Sequence, residues 1–86
     1  MRPGTGNVAM RSETFRLTGE FVELNNLLKL VGLATSGGQG KALVATGEVR
    51  VDGLIETRKT AKIRAGQVVE CRDVRVVVNK DGAEPN

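Results

Sequence analysis

Residues 47–56 read GEVRVDGLIE, and this stretch decides the fold. Val49 and Val51 alternate with charged neighbours, which is typical of a strand with one buried face. The dipeptide Asp52-Gly53 then separates this run from a second apolar run. Such a dipeptide favours a type I′ turn, in which both central residues have positive φ. The stretch therefore predicts an antiparallel hairpin with Gly53 at positive φ.

Two further strands are predicted after the hairpin. Residues 65–67 read AGQ and have the composition of a turn, and residues 68–71 (VVEC) are a strand. Arg72-Asp73 is a tight connection to residues 74–79, which are rich in valine and suit a closing strand. A short strand is also predicted near the N-terminus, at residues 14–17.

Two helices are predicted before the hairpin. In the first, Leu24, Leu27, Leu28 and Val31 follow the spacing i, i+3, i+4, i+7 and so predict one buried face. Gly32 suits the residue just past the end of this helix.

The second predicted helix begins with a capping box. Ser36 and Gln39 match the Ser-x-x-Gln pattern, and Gly47 stands where a C-terminal glycine is expected. A helix of only about ten residues is marginal alone, so it has to pack on other elements.

These elements predict an α+β fold with the order β-α-α-β-β-β-β, in which two short helices pack on a small antiparallel sheet. We expect a flexible N-terminal tail at residues 1–12, a single domain at 13–79 and a flexible C-terminal tail at 80–86. Such a small domain buries only about 60% of its unfolded surface, so a deep active-site cavity is not expected.

The composition argues against an enzyme. The 86 residues include no His, Trp or Tyr, and only one Cys. Without His, triads of the Ser-His-Asp and Cys-His kinds are excluded. Cys71 lies in an apolar run and is expected to be a partly buried core thiol, so neither a disulfide nor a Cys/His metal cluster is predicted. We expect no cofactor, no metal and no small-molecule substrate.

The expected location is the cytoplasm. No apolar stretch approaches the roughly 20 residues that are needed to span a bilayer. Residues 1–11 lack the apolar core of a secretory signal. A membrane association is therefore not expected.

The positive charge is concentrated in one segment. The formal net charge is only +3, but residues 57–64 read TRKTAKIR and contain four cations and no acid. A run of this kind is either a solvated loop or a surface that binds phosphates. The four cations are Arg58, Lys59, Lys62 and Arg64. We call residues 57–64 the basic segment.

The glycines around residues 36–41 (SGGQGK) allow several interpretations. A phosphate-binding P-loop is excluded by Thr35 and Ala42, which stand where that motif needs Gly and Ser or Thr. Gly37-x-x-Gly40 matches the loop of KH domains, but the valine-rich C-terminus does not predict their third helix. Gly37 and Gly38 either lie in the connecting turn or present backbone N–H groups to an anion.

The stretch from Val22 to Glu70 resembles the RNA-binding domain first seen in ribosomal protein S-four of the small subunit, and looks closest to small stand-alone bacterial members. The resemblance covers more than half of the chain and fixes the order and spacing of two helices and a hairpin. Its matching parts are Leu24-x-x-Leu27-Leu28-x-x-x-Gly32, Ser36, Ala42, Gly47-Glu48-Val49-Arg50-Val51-Asp52-Gly53 and Gly66-Gln67.

The resemblance implies contact with RNA through the start of the second helix and the hairpin after it. We expect a non-catalytic, monomeric module that binds structured or ribosomal RNA. Gly37 departs from the family, which often has Arg or Lys directly after the Ser. With the basic segment, the candidate RNA-binding residues are Ser36, Gln39, Lys41, Arg50, Arg58, Lys59, Lys62 and Arg64.

The lack of Trp and Tyr predicts no base-stacking platform, so contacts to phosphates of structured or duplex RNA are expected instead. A protein-interaction module of the same fold remains the alternative, followed by a KH-like nucleic-acid binder.

Overall fold

The computed structural model of the chain describes residues 11–81. Its elements are β1 (Arg11–Leu17), β2 (Val22–Glu23), α1 (Leu24–Leu30), α2 (Gly37–Ala45), β3 (Val49–Val51), β4 (Leu54–Ile55), β5 (Lys62–Ile63), β6 (Val68–Cys71) and β7 (Val74–Lys80). The strands form a five-stranded sheet in the order β1-β7-β6-β3-β4 and a two-stranded sheet of β2 and β5. The predicted α+β class is confirmed.

The main sheet is mixed, whereas the sequence predicted an antiparallel one. Strand β1 runs parallel to β7, with Arg11 opposite Val74, while the other pairs in this sheet are antiparallel. A parallel pair needs a long crossover connection, and here nearly the whole domain lies between the two strands. Hydrophobic alternation within β1 contains no information about the direction of its distant partner.

The strands also extend beyond the predicted boundaries. Arg11 and Ser12, which were predicted to lie in the N-terminal tail, pair with β7. Lys80, predicted to begin the C-terminal tail, is the last residue of β7. The remainder of the two predicted tails, residues 1–10 and 82–86, lies outside the described residues.

The predicted turns are confirmed by their backbone geometry. Asp52 and Gly53 have φ values of 52° and 86°, as a type I′ turn requires. The Asp52 carboxylate also accepts hydrogen bonds from the Val68 backbone N–H (3.0 Å) and from Gln67 Nε2 (3.2 Å). The hairpin turn is therefore tied to the beginning of β6.

The core lies between the helices and one face of the main sheet. Leu24, Leu27 and Leu28 of α1 are completely buried, and they belong to the same cluster as the inward-facing valines of β3, β6 and β7. Val31, predicted to share this helix face, is only partly buried. Arg50, which alternates with buried residues of β3, faces the opposite, outer side of the sheet.

Cys71 is part of this core. Its side chain is almost completely buried, which is deeper than predicted, and burial raises the pKa of the thiol. A raised pKa disfavours the thiolate, which is the reactive form.

The described part of the chain contains no helix long and apolar enough to cross a bilayer. Among residues 11–81, no group of three or more His, Cys, Asp or Glu side chains could hold a metal ion.

Leu28 and Leu30 of α1 provide a matched test of the core. We expect Leu28→Ala to lower the free energy of unfolding by about 2–5 kcal/mol, because it empties a completely buried site. Leu30 is 53% exposed, so Leu30→Ala should change stability by less than about 0.5 kcal/mol. Denaturant unfolding of both variants measures the difference, and equal effects would contradict the assignment of the buried face.

Candidate nucleic-acid interface

The start of α2 is a capped helix N-terminus. The Gln39 backbone N–H donates to Ser36 Oγ at 3.1 Å, and the Thr35 backbone N–H donates to Gln39 Oε1 at 2.5 Å. The predicted capping box is thus present, with the return bond made to Thr35 and not to Ser36. Both candidate RNA-binding side chains at this position, those of Ser36 and Gln39, already accept a backbone hydrogen bond.

The three glycines of α2 have different roles. A Cβ on Gly40 would overlap the backbone carbonyl oxygen of Asn25, so only glycine allows α1 and α2 to approach this closely. A Cβ on Gly37 would lie 3.6 Å from Asn25 Nδ2, and one on Gly38 would lie 3.8 Å from Ser36 Oγ. These are ordinary contact distances, so packing does not require glycine at either position.

Gly37 and Gly38 form the first turn of α2 and are not part of the connecting turn. The first N–H groups of a helix have no acceptor within the helix. Without side chains at these two positions, an anion could approach the N–H groups closely.

The backbone of the basic segment is fixed on the N-terminus of α1. The Leu24 N–H donates to the carbonyl oxygen of Ala61 at 2.8 Å, and the Asn25 N–H donates to that of Lys59 at 3.0 Å. Strand β5, which lies within the segment, also pairs with β2, the strand that leads into α1. The segment is therefore a positioned surface and not merely a solvated loop.

Asn25 joins the basic segment to the start of α2. Its backbone bonds to Lys59, and the same residue packs against Gly37 and Gly40. Its side chain is buried, and Oδ1 has no hydrogen-bond partner among the described residues. Two of the predicted parts of the site, the basic segment and the start of α2, thus lie side by side around one residue.

Arg58 is paired with an acid that lies just outside the basic segment. Its Nε and Nη2 atoms donate to the two carboxylate oxygens of Glu56 at 3.0 and 3.1 Å, and its backbone N–H donates to Glu56 at 2.9 Å. The hydrogen bonds from Arg58 hold the pKa of the Glu56 carboxyl below its usual range. Part of the Arg58 charge is therefore balanced within the protein.

Lys62 and Arg64 lie over an aromatic ring. Lys62 Nζ is 5.0 Å from the centroid of the Phe21 ring, and the guanidinium carbon of Arg64 is 6.0 Å from it. Sequence reasoning missed Phe21 because about forty positions separate it from the basic segment. The pairing of β2 with β5 brings them together.

An open groove of about 470 Å³ runs along the basic segment. It is lined by Arg58, Thr60, Ala61 and Lys62. The exposed cations thus border a concave surface. A concave surface suits an extended charged ligand better than a flat surface does.

The other two candidates occupy different positions. Lys41 is exposed and lies one helical turn beyond Gly37, on the same side of α2. Arg50 is exposed on the outer face of the main sheet, where Glu70 is its neighbour on β6. The sheet separates Arg50 from the helices, so the structure does not bring it together with the start of α2.

Comparison with known proteins identifies the family of this chain. The family model described as S4 domain matches residues 15–79. A protein of Escherichia coli (strain K12) with the name "Putative RNA-binding protein YbcJ" is 58% identical over 48 residues, which are 56% of this chain and 69% of that protein. YbcJ of Shigella flexneri matches with the same figures.

A solved structure is also similar. The solution structure of YbcJ from E. coli has a TM-score of 0.56 and 43% sequence identity to this chain, and the match covers 90% of this chain and 96% of that one. It is described as revealing an ALFAL motif involved in RNA binding. The family resemblance predicted from the sequence is confirmed.

Gly40 and Gly38 provide a matched test of the helix contact. Gly40→Ala should lower the free energy of unfolding by about 1–3 kcal/mol, because its methyl group collides with the Asn25 carbonyl oxygen. Gly38→Ala meets nothing closer than 3.8 Å and should be neutral or stabilising by up to about 1 kcal/mol. Thermal or denaturant unfolding of both variants would decide, and a stable Gly40→Ala protein would refute the close approach.

Proposed function

Since the chain belongs to the S4 domain family, we propose that it is a non-catalytic module that binds structured RNA. In this proposal RNA phosphates contact the basic segment and the start of α2. The observation that carries the proposal is the attachment of a segment with four exposed cations to the N-terminus of α1, directly beside the N-terminus of α2.

The electrostatics of this surface suit a phosphate backbone. Lys59, Lys62 and Arg64 are exposed, and Arg58 adds a fourth guanidinium that shares its charge with Glu56. Cations that neutralise phosphates release condensed counterions, which gives affinity without any reading of sequence. Backbone N–H groups at a helix N-terminus are also common partners of phosphate oxygens.

The names of the relatives support the same proposal. E. coli YbcJ is named for RNA binding, and its solution structure is described through a motif involved in RNA binding. The ligand class we propose is structured RNA, which includes ribosomal RNA. A groove lined by cations suits the regular spacing of phosphates in a folded RNA. We propose further that the module works as a monomer in the cytoplasm, where such RNA occurs.

The chemistry of the chain supports a binding role in place of catalysis. The sequence contains no His, which is the commonest general base near neutral pH. The single thiol, Cys71, is buried in the core with a raised pKa. The candidate residues at the interface are cations and capping groups, which bind an anion but do not form a recognisable catalytic constellation.

A protein-interaction module is the second candidate. Leu54 and Ile55 on the edge strand β4 are 75% and 59% exposed, which is unusual for large apolar side chains next to each other. An edge strand can pair with a strand of another chain. Absence of RNA binding in the experiments below would favour this candidate.

RNA binding should depend on salt in proportion to the number of phosphates contacted. If about four phosphates are neutralised, the slope of log K against log salt should be near −3 to −4. Replacing Arg58, Lys59, Lys62 and Arg64 together by Ala should remove most of this slope, and Lys59→Ala alone should flatten it by about one. Fluorescence anisotropy with a structured RNA at several salt concentrations measures these slopes.

Arg75 supplies the matched control for this experiment. It is exposed and pairs with Glu70, as Arg58 pairs with Glu56, but it lies on the outer face of the sheet. Arg75→Ala should leave the slope nearly unchanged. Equal affinity of the quadruple variant and the wild type would exclude the basic segment from the interface, and no binding by the wild type would refute RNA binding.

Glu56 should limit the affinity of the protein for RNA, because its carboxylate balances part of the charge of Arg58. Glu56→Gln removes the charge that balances Arg58, so RNA should bind several-fold more tightly and the salt slope should steepen. Glu70→Gln releases Arg75 in the same way on the outer face of the sheet and should have little effect. The same anisotropy titration compares the two variants, and an equal gain from both would show only a general effect of net charge.

A further inference from the structure

Phe21 is an exposed aromatic side chain that has no place in the core. The chain has two Phe and no Trp or Tyr. Phe15 is partly buried against the hydrophobic cluster, whereas Phe21 is 39% exposed. Its burial therefore does not explain why a large apolar ring stands at this position.

The ring lies on the outer face of the two-stranded sheet. Val22 and Ile63 are buried and face each other across β2 and β5, so their neighbours Phe21, Lys62 and Arg64 are directed to the opposite side. Lys62 Nζ and the Arg64 guanidinium carbon are 5.0 and 6.0 Å from the ring centroid. Two cations of the basic segment thus lie over a partly exposed aromatic ring, at the distances of cation–π contacts.

This combination matches the chemistry of a nucleotide. A base stacks on the ring when the exposed Lys62 side chain swings off it, and the phosphates beside that base then lie within reach of the Lys62 ammonium and the Arg64 guanidinium. A base inside a duplex is already paired and stacked, so only an unpaired base can reach the ring. Glu23, opposite Lys62 on β2, is an acid on the same face and directs phosphates toward the Arg64 side.

We propose that Phe21, Lys62 and Arg64 form a stacking site for one unpaired RNA base. This inference rests on the proposed RNA binding and narrows its ligand class. The preferred ligand is a stem with an adjacent bulged or looped nucleotide. The phosphates of the stem lie on the basic segment, and the unpaired base lies on Phe21. The proposed site departs from the expectation from composition that the chain has no base-stacking platform.

Three RNAs with the same stem separate stacking from phosphate contact. The first is fully paired, the second has one bulged nucleotide, and the third has an abasic nucleotide in the bulge, which keeps the phosphate but removes the base. Wild-type protein should bind the bulged RNA about 5- to 100-fold more tightly than the other two, the range that one stacked base provides. Anisotropy titrations at one fixed salt concentration measure the three affinities.

Variants at Phe21 test the ring itself. Phe21→Leu should abolish the preference for the bulged RNA while the affinity for the fully paired stem stays unchanged, and Phe21→Trp should retain the preference. Leu54→Ala removes another exposed apolar side chain, far along the chain on β4, and should leave all three affinities unchanged. Circular dichroism of each variant verifies the fold.

The outcomes distinguish this proposal from the one on which it rests. Equal binding of all three RNAs by the wild type overturns the stacking site but leaves phosphate binding intact. A loss of affinity in Phe21→Leu that is equal for all three RNAs also overturns it, because the ring would then only hold Lys62 and Arg64 in place. No binding of any RNA by the wild type overturns both proposals.

Discussion

The rest of the site depends on the close approach of α1 and α2 at Asn25 and Gly40. The Gly40 backbone lies so near the Asn25 carbonyl oxygen that no other residue fits there. This contact places the start of α2 next to the start of α1, and the Asn25 N–H then fixes the backbone of Lys59. A packing constraint in the helix pair therefore determines where the start of α2 lies relative to the segment that α1 anchors.

The two helix N-termini serve different purposes. The first N–H groups of α1 donate to carbonyl oxygens of the basic segment, so this N-terminus is used to hold a loop. At α2 only the Gln39 N–H is taken by Ser36 Oγ, and the glycines before it leave the backbone accessible. In the proposed binding mode, α2 therefore offers its backbone N–H groups to the phosphate, while α1 holds the loop that carries the cations.

Local chemistry explains which parts of the structure could be predicted from the sequence. The hairpin at Asp52-Gly53 and the cap at Ser36 depend on neighbouring residues, so their patterns were sufficient. Strands β2 and β5 have two residues each, which is too short for a periodic signal, and about forty positions of sequence separate them. The juxtaposition of Phe21 with Lys62 and Arg64 follows from the pairing of these strands and was inaccessible for the same reason.

Packing does not explain the absence of a cation directly after Ser36, because a Cβ on Gly37 would lie at an ordinary contact distance from Asn25. A side chain on Gly37 would begin beside the amide of Asn25, and Lys59 is bonded to the same residue through its backbone. The backbone of Lys59, a residue of the basic segment, therefore lies near the start of α2. On the proposed binding mode, one phosphate could contact the N–H groups of Gly37 and Gly38 and a cation of the loop together. In this mode the basic segment supplies the positive charge, and the backbone N–H groups of Gly37 and Gly38 stay open to the phosphate.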